Sequence, residues 1–167
     1  MNKVVVVDKD DNPIGLKSYK ELRYEDIYRV SALWLTDLDE KYTIVTQRKH
    51  TKHNDPGKWM MAVSGTVEEG ENYEKNMAIE IEEEIGLKDV QFVKRDKIFA
   101  DDGNHRFFVQ YFSGKVDRHK VNIVIQEEEV EQYKWIKIDE LIYWVKESPE
   151  DFVPLMKESL RSVGVMV

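Results

Sequence analysis

Residues 65–87 read GTVEEGENYEKNMAIEIEEEIGL, from Gly65 to Leu87. Met77, Ile81 and Ile85 recur every fourth residue and Gly86 stands where a helix-ending glycine belongs, so the spacing predicts a helix over Asn72–Ile85. Eight glutamates and a single lysine, Lys75, fall between Glu68 and Glu84. Such a run is usually a solvated helix face. Spacing argues for more here. At about 100° per residue, Glu80, Glu83 and Glu84 lie within about 100° of one another, whereas Glu82 points away. Like charges at that spacing repel unless a cation joins them. Clustered carboxylates suit a hard ion such as Mg²⁺ or Mn²⁺, whose shell water and substrate phosphates complete. Met77, Ile81 and Ile85 form a different stripe, so one helix can bury one side and offer carboxylates to a cleft on another.

Outward from this helix, Lys3–Asp8, the turn cluster before Pro13, and Ile14–Leu16 predict an N-terminal hairpin. Tyr19–Asp26 is polar and reads as a short helix or loop. Tyr28–Leu35 and Tyr42–Gln47 are β-branched and aromatic runs that predict a second hairpin, and Trp59–Val63 a further short strand after a polar loop containing Asp55-Pro56-Gly57. Beyond the helix, strands are expected over Val90–Phe99, Arg106–Val116 and Gln132–Ile138. Helices are expected over Asp139–Lys146 and in a last segment opened by Ser148-Pro149-Glu150-Asp151, with Ser148 as its cap. The order describes an α/β chain with a mixed sheet and C-terminal helices, without the βαβ alternation or GxGxxG pattern of a dinucleotide fold.

The 167 residues suit one domain spanning 1–167, and 41% apolar residues supply a core. A net charge of −8 argues against a nucleic acid polymer or an anionic membrane as partner. The absence of cysteine excludes thiolate zinc sites and cysteine nucleophiles. No stretch approaches the ~20 apolar residues of a membrane span, so a cytoplasmic protein is expected. His50, His53, His105 and His119 show no metal-ligand spacing.

The same 23 residues resemble the Nudix box, which asks for Gly, five residues, Glu, seven residues, Arg-Glu, an aliphatic, any residue, Glu-Glu, any residue, Gly and an aliphatic. Gly65, Glu71, Glu80, Ile81, Glu83, Glu84, Gly86 and Leu87 match in register. The resemblance implies an α/β/α sandwich and a Mg²⁺- or Mn²⁺-dependent hydrolase that cleaves the diphosphate linkage of a nucleoside diphosphate-type or related small molecule. It implies Glu80, Glu84 and the Gly65 carbonyl as metal ligands, and Glu83 as ligand or water-activating carboxylate. The departure is Ile79, where the family has an arginine that braces box glutamates. Its absence removes a charge-assisted contact from Glu71 but no metal ligand.

Gln47-Arg48, Lys52, Pro56-Gly57-Lys58-Trp59 and the segment Val7–Gly15 further resemble the branch that contains isopentenyl diphosphate isomerase and its hydrolase relatives. Arg48 and Lys52 match its diphosphate-contacting residues, and a guanidinium beside an ammonium suits that anion. The isomerase cysteine falls on Ser64, and its metal histidines fall on Thr66 and Tyr28, none of which replaces a thiol or an imidazole. Downstream, Gln126-Glu127-Glu128-Glu129 is where the family would supply one more carboxylate, and Glu128 or Glu129 is expected to act on a metal or a water. Besides the hydrolase, two readings stand: a binding or regulatory Nudix module weakened by Ile79, and an isomerase. A homodimer is compatible with the sequence.

Overall fold

The computed structural model describes residues 2–166. Its nine strands form one mixed sheet, and three α-helices cover its two faces. The centre is β3 (Ile27–Asp37), fully paired along one edge with β8 (Arg106–Val116) in parallel. Three strands share its other edge in turn: β1 (Val4–Val7) at its start, β6 (Val63–Thr66) in the middle and β4 (Tyr42–Arg48) at its end. The expected N-terminal hairpin forms, with β1 antiparallel to β2 (Pro13–Lys17), and a 3-10 turn occupies Tyr19–Glu21.

The second hairpin differs in an instructive way. β3 and β4 meet only at Thr36 and Thr43, and β4 then diverges to lie between β5 (Trp59–Met61) and β9 (Val130–Lys137). The strand expected over Trp59–Val63 is thus two strands: β5 pairs with β4, the chain steps at the fully buried Ala62, and β6 pairs with β3. This step places Ser64, Gly65 and Thr66 where the sheet opens.

Alternation along β3 explains the layers. Ile27, Leu33 and Leu35 join the core under helix α1 (Tyr73–Ile85), together with Met77, Ile81 and Ile85. Tyr28, Ala32 and Trp34 face the opposite core with α2 (Ile138–Glu147) and α3 (Met156–Ser162). Each buried aliphatic side chain of the α1 stripe contributes roughly 1.5–3 kcal/mol, enough to fix which face of the helix turns outward. On β8, Phe107, Val109 and Tyr111 share the α2/α3 side and Phe112 the α1 side, while β7 (Phe92–Asp101) closes the edge. The arrangement is an α/β/α sandwich.

The last helix is not continuous. Ser148 makes no side-chain cap, Pro149–Asp151 forms a single 3-10 turn, and α3 starts only at Met156. Pro154 disfavours a helical conformation at Val153. There the chain runs extended, with Val153 N–H donating to the Trp59 carbonyl at 3.0 Å and Phe152 bridging Trp59. Among the described residues no helix is long and apolar enough to cross a membrane.

Candidate active site

Two residues, Asn72 and Gly86, fix the ends of α1. Asn72 caps its start, accepting from Lys75 N–H at 2.8 Å. Gly86 ends it in the left-handed conformation at φ 71°, where a Cβ would also meet Val124 at 2.9 Å, so glycine is required twice over. The carbonyls left open at this end are satisfied from outside: Val124 N–H donates to Ile85 and Gln126 N–H to Glu84. That docking carries the acidic loop before β9 to the same place as the helix carboxylates.

Glu80 lies flat against Gly65: a Cβ there would stand 2.0 Å from its Oε1. On its other side it accepts from Asn76 Nδ2 at 3.3 Å. Burial and the neighbouring Glu83 charge push its carboxyl up to about 7. Glu84 is buried, and among the described residues its one donor is the Ser64 N–H at 3.3 Å. Burial and the charge of Glu80 raise it well above the ordinary carboxylate range. Glu83 is exposed to solvent on the rim of the same cavity, whereas Glu82 turns outward to Lys88 at 2.9 Å.

The cavity is open and about 750 Å³. Gly65, Glu80, Glu83, Glu84, Glu129, Arg48 and Lys52 all line it, so the structure brings these sequence-predicted residues to one cavity. Glu128 is exposed and stands outside the lining, which separates it from Glu129. Glu129 is bonded to Lys52, and its backbone carbonyl accepts from Lys49 N–H at 3.0 Å. Arg48 is held by the Asn54 carbonyl, 3.0 Å from its Nε.

The apolar part of the lining was not singled out from the sequence. Val30, Ala32, Met60, Phe107, Val109 and Met156 form an apolar wall continuous with the carboxylates. Tyr28 packs on Phe107 with ring centroids 5.5 Å apart, and Tyr111 bonds Ser159 through its hydroxyl at 2.9 Å. The signal was present in the alternation of β3 and β8, whose even and odd residues respectively face this side. Asn76 was also missed, since a lone asparagine within a helical run carries no mark of its partners. It is buried, and its Nδ2 lies 3.0 Å from the Thr66 carbonyl and 3.0 Å from Glu71 Oε2, while its Oδ1 accepts from the Ser31 hydroxyl.

The donor set is all oxygen and largely anionic, which fits a hard divalent cation rather than zinc. Two of its carboxyls are raised by burial and by the charge of neighbouring carboxylates, the condition that a bound cation relieves. Among the described residues no three His, Cys, Asp or Glu side chains already form a closed coordination group. The carboxylates share a cavity without forming a cage, as expected where phosphate and water supply much of the shell.

A helix-borne carboxylate cluster lining a cavity, in a sheet sandwiched between helices, defines a class of enzymes that act on phosphate anhydrides. Residues 27–160 match the profile of the NUDIX domain, and the chain belongs to the Nudix family. A prenyl-diphosphate phosphatase of Methanosarcina mazei is 32% identical, aligned over 94% of this chain and 92% of its own. An isopentenyl-diphosphate Delta-isomerase 2 of Photorhabdus laumondii is 24% identical over 96% of this chain and 92% of its own, consistent with the isomerase-like branch. A solved structure from Deinococcus radiodurans superposes with a TM-score of 0.79 at 17% identity, covering 96% of this chain and 98% of that one, which establishes the fold. The protein is a Nudix hydrolase acting on diphosphate bonds.

Proposed function

We propose that this hydrolase is divalent-metal dependent and that its substrate is a small diphosphate carrying a hydrocarbon chain. The observation that carries this reading is that one cavity is lined both by carboxylates and cations and by the apolar side chains Val30, Ala32, Met60, Phe107, Val109 and Met156. Carbon surface there matches an apolar tail. The tyrosines on that wall do not advertise a polar ligand, because the Tyr111 hydroxyl is already bonded to Ser159 and the Tyr28 ring is packed on Phe107. The relative named as a prenyl-diphosphate phosphatase points to the same chemistry. This narrows the nucleoside diphosphate-type or related small molecule expected from the sequence to one that bears a hydrocarbon chain.

In this reading Glu80, Glu84 and the Gly65 carbonyl hold Mg²⁺ or Mn²⁺, with Glu83 at the rim as a further ligand. The metal would supply Lewis acidity that makes a bound water nucleophilic near neutral pH. Arg48 and Lys52 bind and orient the diphosphate, and the Lys52 ammonium, now on Glu129, turns to phosphate oxygen when the substrate enters. Glu129 is then left to take the proton of the water that attacks phosphorus, breaking the P–O–P bridge; Glu83 is the alternative base, and Glu128, being outside the cavity, takes no part. Isomerisation is disfavoured by the same residues. Protonating an alkene needs a strong enough acid, but Ser64 carries only an alcohol, and burial pushes the Tyr28 hydroxyl further above its ordinary range.

Phosphate release from prenyl and nucleoside diphosphates, with Mg²⁺, with Mn²⁺ and with chelator, tests the proposal. The expected result is metal-dependent release with kcat/KM at least about tenfold higher for the prenyl substrates, as apolar pocket contacts provide. Equal or better nucleoside hydrolysis overturns the substrate assignment, and release in chelator overturns the metal assignment.

A further inference from the structure

We propose that Asn76 is the positioning residue of this site, a neutral brace that holds the Glu80 carboxylate where a cation must meet it; the inference rests on Glu80 being the ligand proposed above. Four observations carry it. Asn76 is 1% exposed, so its amide is committed to protein partners. Those partners come from three parts of the fold: Ser31 on β3, the Thr66 carbonyl on β6, and Glu71 and Glu80 on either side of it in the chain. The Ser31 hydroxyl, donating to Oδ1, fixes which way the amide points and turns its two Nδ2 hydrogens toward three acceptors, the Thr66 carbonyl and Glu71 at 3.0 Å and Glu80 at 3.3 Å, so that one hydrogen is shared. Finally, Gly65, the cross-strand partner of Ser31, presses on Glu80 from the opposite side, so that carboxylate has one place to lie.

A second carboxylate is held by the same group. Glu71 accepts from Asn76 at 3.0 Å and from the Glu68 N–H at 3.0 Å, which closes the turn between β6 and α1. Ile79, where family resemblance expects a bracing arginine, has no donor to offer. An amide is suited to this place: it donates to two carboxylates without bringing a positive charge that would compete with a cation for them.

The test uses Mn²⁺ binding to the full chain without substrate, read by electron paramagnetic resonance of the free ion, together with steady-state kinetics. Asn76→Ala is expected to weaken Mn²⁺ binding about tenfold, the usual result of removing a ligand's supporting hydrogen bond. Asn76→Asp, which keeps the shape but turns an acceptor on two acceptors, is expected to weaken it more. For both, kcat should fall while KM for the tail-bearing substrate changes little, a split that loss of packing alone would not produce. If the buried substitutions fail to fold, Ser31→Ala carries the test: it touches no carboxylate, yet should weaken Mn²⁺ binding about threefold by freeing the amide to turn. Folded variants that bind Mn²⁺ as the native chain does overturn the brace alone. A native chain that binds no Mn²⁺ either alone or with inorganic diphosphate added overturns the metal-dependent reading and the brace with it.

Discussion

Two acidic groups flank helix α1, and they are treated in opposite ways. At its N-terminal end Asp11, at φ 64° in the turn of the first hairpin, receives the Arg29 guanidinium at 2.7 Å, the Lys97 ammonium at 2.5 Å and the Tyr73 hydroxyl at 3.1 Å. Burial alone would raise it, but these donors hold its carboxyl below the ordinary value. Along the outward face half-buried Glu80 and buried Glu84 lie one helical turn apart, and both are raised. The fold can neutralise a buried carboxylate, and does so where the charge joins hairpin, strand and helix. Leaving these two carboxylates with no ion pair among the described residues costs stability that a purely structural role would not justify, which marks their part of the cavity as the working one.

The comparison breaks most sharply under Glu84→Gln. Turnover is expected to fall at least ~10²-fold, with the circular dichroism spectrum and melting temperature kept or improved, because a buried repulsion is removed while a metal ligand is lost. Unchanged turnover would return the acidic face to mere surface. Asp11→Asn should do the reverse. Removing one partner of a partly buried ionic cluster leaves Arg29 short of its countercharge and is expected to cost about 2–4 kcal/mol, read by urea unfolding, while hydrolysis by the folded fraction stays within about threefold. A variant of normal stability would show that the cluster is not what pins the hairpin to α1.

pH sharpens the same contrast. Glu80 binds its proton more tightly in the folded than in the unfolded chain, about 7 against 4.5, so metal-free protein should lose stability as pH rises from about 4.5 to 7. Asp11 has the opposite sign: its contribution is present above its unfolded value of 3.8 and is lost only as pH falls through the lower folded value. Between pH 5 and 8 the melting temperature of chelator-treated protein is therefore expected to drop by on the order of 5 °C, and Mn²⁺ should cancel the drop. A flat profile without metal would mean that Glu80 is not strained in the empty site.

Much of this was legible before the fold was known. The helix and its stop were written locally in the apolar spacing and Gly86, and the carboxylate face followed from the same geometry, whereas Asn72, expected as the first helical residue, is the cap. Glu129 could not be told from Glu128, because the choice depends on how the loop before β9 docks on the C-terminal end of α1 through Val124 and Gln126. The step at Ala62 was equally hidden: it arises from β5 and β6 choosing different partners, which no local pattern encodes. Asn76 is the clearest case, since its hydroxyl partner Ser31 lies 45 residues away in the chain.

The smallest expected effect belongs to Ile79→Arg, which restores the residue of the family's box. Position 79 is half-buried and three residues from Asn76, so a long side chain there can run along the helix surface toward the Glu71 and Glu80 region. A guanidinium in that position would ordinarily tighten the carboxylates through charge-assisted hydrogen bonds. Here Asn76 already donates to both, and a positive charge beside Glu80 would compete with the cation proposed for it. The two contributions oppose, so hydrolysis is expected to change by less than about threefold, and no isomerase activity should appear because Ser64 remains an alcohol. Steady-state phosphate release and a melting curve on this one variant check it. A rise of tenfold or more would show that the neutral brace leaves the carboxylates loose, and a fall in both activity and melting temperature would show that Ile79 is a packing residue.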